Sequence, residues 1–167
     1  MNRRTFAAGL GLTCLSLTAT AKSAQREIEL DGTQFAFWQG QGRLHARFTA
    51  PTDGWLAAGF NNDQRLEQTR FVIGAMRAGG FYAEEHIAVG PGHPTVQSLG
   101  FAPAVTDVVG EIWSNRSTMA FSLPHVFPDT PNPRLTPGTT TYLMLAWSQD
   151  TDFQHHSAWR RHLTITV

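Results

Sequence analysis

The segment Arg43–Ala50, RLHARFTA, places Leu44, Ala46 and Phe48 on alternate positions, with Arg43, His45 and Arg47 between them. A period of two puts the apolar side chains on one face of an extended strand and the polar ones on the other. Other short runs share the strand character. They are QFAFWQ (34–39), WLAAGF (55–60), RFVIGAM (70–76), STMAFSL (117–123) and TTYLMLAW (140–147), all rich in aromatic or β-branched residues. The closing HLTITV places Leu163, Ile165 and Val167 on one face. Turn clusters separate the runs: DGT, QGQG, APTDG, GPGHP and FPDTPNPRLTPG, drawing on fifteen glycines and nine prolines. No segment carries a long amphipathic helical pattern. The shortest approach to one is FNNDQRLEQTR, which predicts at most a turn near Asn62–Gln68. Many short strands joined by Gly/Pro turns pack as a two-sheet antiparallel sandwich or a barrel, so the expected class is all-β.

The N-terminus is organised differently. MNRRTFAAGLGLTCLSLTATA begins with Arg3 and Arg4, continues through an apolar stretch from Ala7 to about Leu17, and ends at Ala19-Thr20-Ala21. That order of charge, apolar stretch and small residues is an export signal, and the paired arginines favour the twin-arginine route over the general secretory one. The stretch is too short and too rich in Gly and Thr to serve as a bilayer span. The expected organisation is a signal over 1–21 and a single sandwich domain over 25–167, located in the periplasm, with no transmembrane span in the mature chain. The one cysteine, Cys14, falls inside the signal, with Thr13 before it where a lipoprotein has a smaller residue. The mature domain then has no disulfide, no zinc–thiolate site and no thioether-linked haem. Its stability has to come from its core, which about 145 residues can supply. Removing the signal takes two arginines and no acid from thirteen basic and thirteen acidic residues, leaving a formal charge of −2. No basic patch appears, which excludes nucleic acid as the expected partner.

Several segments, in order, resemble the DOMON domain, the family of the cellobiose dehydrogenase cytochrome domain and the dopamine β-monooxygenase regulatory domain. They are TAPTDGWLAAGFNN, RFVIGAM, FYAEEHIAVG and YLMLAWSQDTDFQHHSAWRR, over about residues 30–165. The resemblance implies an immunoglobulin-like β-sandwich that binds haem b or a sugar-like ligand. It also implies a carrier of electrons rather than an enzyme, serving a periplasmic oxidoreductase or a membrane electron carrier. In haem-binding relatives the iron is held by a Met after the GWxAxGF strand and a His before the last strand. Here the His position is filled by His155 or His156. His156 is preferred because His-Ser-Ala-Trp-Arg matches a His followed by a basic residue about four on. The Met position is occupied by Leu66, which has no lone pair to give iron, so the sequence departs from the pattern there.

The segment DTDFQHHSAWRRH, from Asp150 to His162, holds three of the seven histidines. It reads as a long connection between a strand ending near Trp147 and one beginning near His162, and long connections in compact domains are usually functional. Phe153 and Trp159 give it aromatic side chains to pack, so it is expected to be ordered over one end of the sandwich. His156 would turn toward a pocket there, with Arg160 and Arg161 at the rim, and an arginine could pair with a haem propionate. Adjacent residues of an extended segment point opposite ways, so at most one of His155 and His156 faces a given pocket. Trp38, Trp55 and Trp147 read as core, whereas Trp113 and Trp159 read as loop aromatics able to line a pocket. His45 falls on the polar face of its strand. Met119 and Met144 read as core filler. Glu84 and Glu85 diverge as strand neighbours and make no glycosidase pair.

Two other functions fit the same residues. One is a haem-free module binding a sugar or phenolic ligand, with Trp113 and Trp159 stacking on it. The other is a mononuclear copper or zinc site built from His155 or His156 with His86 or His93, although the spacing of the last two is no zinc signature. For the export signal, replacing Arg3 and Arg4 by lysine is expected to leave unprocessed precursor in the cytoplasm, measured by fractionation and immunoblotting; normal processing of that variant would assign the signal to the general secretory route.

Overall fold

The computed structural model describes residues 24–130 and 132–167. The export signal expected over 1–21, with Cys14, lies outside these residues. Ten strands form two five-stranded antiparallel sheets. The first sheet contains β1 (Arg26–Leu30), β2 (Thr33–Gly40), β3 (Arg43–Ala50), β7 (Thr106–Trp113) and β8 (Arg116–Pro124), in the order β1-β2-β3-β8-β7. The second contains β4 (Leu56–Asn61), β5 (Arg70–Arg77), β6 (Gly80–Ile87), β9 (Thr140–Trp147) and β10 (Trp159–Thr166), in the order β10-β9-β4-β5-β6. The only helical element among the described residues is a single 3-10 turn at Gln97–Leu99; the Asn62–Gln68 segment is irregular. No helix among the described residues is long and apolar enough to cross a membrane. The chain folds as an all-β sandwich.

The alternation in β3 does what period two requires. Leu44, Ala46 and Phe48 are fully buried between the sheets, whereas His45 stacks on Trp38 on the outer face with ring centroids 5.5 Å apart. The inter-sheet core is aromatic, with Phe35, Phe48, Phe60 and Phe121 meeting edge-on or tilted at 6.3–6.5 Å. Ile165 and Val167 join this core and Leu163 packs against it, so the last strand faces as its sequence dictates. The final strand begins at Trp159 rather than near His162, because Trp159 pairs with Trp147 in register and the two indoles stack at 13°. The β9–β10 connection is therefore the eleven residues from Ser148 to Ala158.

At one end of the sandwich the core contains a charge. Arg70, at the start of β5, is 1% exposed, and its guanidinium lies over the ring of Phe127 at 4.1 Å. Its Nε donates to the buried carboxylate of Glu85 on β6. Its two terminal nitrogens donate to Asp129 at 2.9 and 3.1 Å, a two-pronged contact. The other oxygen of Glu85 accepts from the backbone N–H groups of Ala104 and Val105 at 2.7 and 2.9 Å. One ion cluster thus ties the second sheet to the segment leading into β7 and to the β8–β9 connection. Removing one partner strands the other charge in the interior. Arg70→Leu is expected to cost about 3–5 kcal/mol, measured by urea unfolding. The double substitution Arg70→Leu/Glu85→Met is expected to recover part of that loss, because the fully buried Glu85 carboxylate is removed together with its cation; Asp129 still lacks its partner, so the recovery is incomplete.

Candidate functional site

The site lies on the outer face of the second sheet. Antiparallel partners share a face, so the register reads out rows that cross the sheet. One row runs Arg160, Ala146, Ala57, Ile73, Glu84 from β10 to β6. The next runs His162, Met144, Gly59, Phe71, His86. The side chains at the centre of the first row are small, and the ring of Phe71 lies over Gly59, where a Cβ would come within 2.4 Å of it. The result is a low apolar floor. Trp55, Ala57, Ile73, Ala75 and Phe153 form a second hydrophobic cluster there, separate from the inter-sheet core.

The β9–β10 connection covers part of this floor and leaves a cleft of about 450 Å³. It folds over the outer face of the sheet rather than over the end of the sandwich, because its anchor, Phe153, is drawn to the outer cluster. Phe153 is 5% exposed, stacks on Tyr82 at 6.1 Å, and carries the guanidinium of Arg77 at 4.5 Å above its ring. The connection is also fixed through its backbone. Trp55 N–H donates to Asp150 O, and Ser148 N–H donates to Trp55 O, at 2.9 and 3.0 Å. A Cβ at Gly54 would come within 2.2 Å of Ser148 O, so only glycine admits this approach. Asp150 and Asp152 each accept from the backbone two residues on, at 2.8 and 3.0 Å, which bends the chain locally. Ser148 Oγ donates to the carbonyl of His156 at 3.1 Å and holds the backbone at the histidine pair.

His155, His156, Leu66 and Arg160 all line the cleft. Both histidines are exposed, and His155 Nδ1 lies 3.8 Å from Asp150. Leu66 is 53% exposed, an apolar side chain held at the mouth. The Arg160 side chain makes no ion pair among the described residues, whereas Arg161 is turned to Asp31, 2.6 Å away. Trp159 is not at the cleft. It stands in register with Trp147, packs against the inter-sheet core, and donates from its indole to Asp31 at 3.1 Å. Trp113 is equally remote, 79% exposed at the end of β7 in the other sheet. Trp55, expected in the core, belongs instead to the cleft.

Two further cleft residues carry chemistry that the sequence did not place there, and His93, weighed above as a metal-ligand candidate, lines the cleft as well. Met144 and His162 sit side by side across β9 and β10 on the outer face. Met144, expected as core filler, faces away from the inter-sheet core, which takes Leu143 and Leu145. His93 lines the far wall, and behind it His86 is buried. His86 Nδ1 lies 2.6 Å from the carbonyl of His93 and its Nε2 lies 3.2 Å from Glu84, whose other oxygen accepts from Tyr82. Burial, and then the neighbouring His86, hold the His93 imidazole below its ordinary range. No group of three or more His, Cys, Asp or Glu among the described residues is arranged to hold a metal ion.

The floor is low and apolar, and the donors around it are imidazoles and one thioether, which suit iron in a porphyrin better than a hard cation. Arg160, without an ion pair among the described residues, places a positive charge at the rim. The residues present therefore fit haem, with Leu66 contributing none of the coordination. No protein-family model matches the sequence, and no curated protein matches it. Solved structures do match in fold. The cytochrome domain of cellobiose dehydrogenase from Myriococcum thermophilum aligns at a TM-score of 0.60 and 10% identity, covering 86% of this chain and 81% of that one. The cytochrome b domain of pyranose dehydrogenase from Coprinopsis cinerea aligns at 0.56 and 9% identity, covering 81% of this chain and 76% of that one. The chain has the DOMON-like sandwich fold that these two cytochrome domains share.

Proposed function

We propose that this chain is an exported, non-catalytic module that binds haem b without a covalent link and relays electrons for a periplasmic oxidoreductase or a membrane electron carrier. The observation that carries the reading is the cleft itself: an apolar floor rimmed by imidazoles, on a fold shared with two cytochrome domains. When bound, haem supplies a one-electron redox centre. The chain's own residues do the rest. His156 offers a ring nitrogen from a backbone position fixed by Ser148. Ala57, Ile73 and Ala146 exclude water beneath the ligand. Arg160 neutralises a carboxylate at the rim. The described residues contain no cysteine, so attachment rests on these contacts alone.

A sugar-stacking module is less well supported, since Trp113 and Trp159 stand away from the cleft. A copper or zinc site joining His155 or His156 to His86 or His93 is also less well supported, since no group of three or more His, Cys, Asp or Glu among the described residues is arranged to hold a metal ion. Both ring nitrogens of His86 already face partners.

Protein purified from haem-replete cells is expected to keep a Soret band through gel filtration. His156→Ala is expected to weaken haem retention by more than roughly tenfold, since even residues that merely orient a metal ligand act in that range. His155→Ala and His45→Ala are expected to retain the full complement. A colourless wild-type protein, or a His156→Ala variant with an unchanged spectrum, would overturn the assignment.

A further inference from the structure

Between Phe60 and Phe71 the chain has one apolar residue, Leu66. Apolar packing of its own therefore cannot hold this segment, and a buried side-chain amide holds it instead. Asn61, 1% exposed at the end of β4, turns its Nδ2 to three acceptors: Arg65 O at 2.8 Å, Glu67 O at 3.0 Å and Thr69 Oγ1 at 3.0 Å. Its Oδ1 accepts from the backbone N–H of Asp63 at 3.3 Å and from the amide of Asn132 at 2.8 Å. Thr69, fully buried at the other end of the loop, donates from its hydroxyl to Arg65 O at 3.1 Å and from its backbone to Leu66 O at 3.0 Å. Buried polar groups of this kind are costly to leave unpaired, so the loop keeps one shape.

The carbonyls of Arg65, Leu66 and Glu67 are thus all taken up inside the loop. Gln68 N–H donates to Ala88 O and Ala88 N–H donates to Thr69 O, both at 2.9 Å, which ties the loop to the residue after β6. At the centre of this bonded backbone stands the one apolar side chain. Leu66 belongs to neither hydrophobic cluster of the described residues; it lines the cleft and is 53% exposed. An apolar contact fixed before a ligand arrives spares the ligand the entropy of ordering it.

We propose that Asn61 is a positioning residue for the group held in the cleft: its amide fixes the loop so that Leu66 stands at the mouth as a preformed apolar contact. The proposal rests on the haem reading above and deepens it, because it gives Leu66, which cannot coordinate iron, a role in retaining the haem.

The test is a double-mutant cycle on haem loss, measured as transfer of haem from the loaded protein to excess apomyoglobin. Leu66→Ala is expected to speed loss about threefold to tenfold, the range for removing part of the apolar area a leucine covers. Asn61→Asp keeps the shape of the side chain but turns its donor into an acceptor facing three oxygens, and is expected to speed loss by a similar factor. Added to Leu66→Ala, it is expected to speed loss by less than about twofold more, because it acts through the side chain already removed. Thr69→Val removes the hydroxyl between Asn61 and Arg65 O; it is expected to follow the same pattern and serves where Asn61→Asp does not fold. Ser122→Ala breaks a buried hydrogen-bond network in the other sheet and is expected to leave haem loss unchanged, which separates positioning from general destabilisation. Factors that multiply in the double variant, or haem loss unchanged in Leu66→Ala or in Asn61→Asp, would overturn the proposal and leave the haem reading intact. A wild-type protein with no haem band would overturn both together.

Discussion

A guanidinium that cannot reach water determines how one end of this sandwich closes. Arg70 is placed inside by the alternation of β5, which turns Arg70, Val72 and Gly74 to the core side. An isolated charge there would cost several kcal/mol. The chain meets that cost with two carboxylates, the ring of Phe127 and the backbone donors that occupy the rest of Glu85. The partners come from β6, from the strand-poor segment around Asp129 and from the approach to β7, three stretches with little regular pairing between them. The cluster therefore joins these three stretches at one point.

The consequence reaches the cleft through β6. Glu85 faces inward to Arg70, so its neighbours Glu84 and His86 must face outward, where they meet Tyr82, His93 and Phe153. The buried ion pair and the polar chain behind the cleft are thus two sides of the same strand. A shift of one residue in β6 would place Glu84 in the core and strand His86 away from His93. The site and the core share one register.

The sequence carried the class of fold because β3, β9 and β10 have clean patterns, and their apolar positions face the core in the structure. It did not reveal β1 or β7. In β7 the outward residues Val109 and Trp113 are apolar and exposed, so period two is absent from the letters. The histidine pair and Leu66 were legible as a constellation through resemblance, and the structure brings them to one cleft. Trp159 was misplaced because a tryptophan at the start of a strand looks the same in sequence as one in a loop. Met144 was misread for a related reason. WLAAGF, RFVIGAM and YLMLAW are apolar on both faces, and a single pattern cannot say which face is which. Those runs did hold a signal: an antiparallel strand apolar on both sides needs a cover on each. Here the second cover is the β9–β10 connection, and the cleft is what that cover leaves open.

That connection is held by backbone bonds to Trp55, by two aspartate-bent turns and by Phe153 in an aromatic pocket. Segments that order themselves only when a ligand arrives lose affinity to the entropy of that ordering. This one has already lost it on folding. Its two histidines stand at the cleft on a connection already fastened to the sheet, so a ligand entering there meets them in place and need not order the segment that carries them.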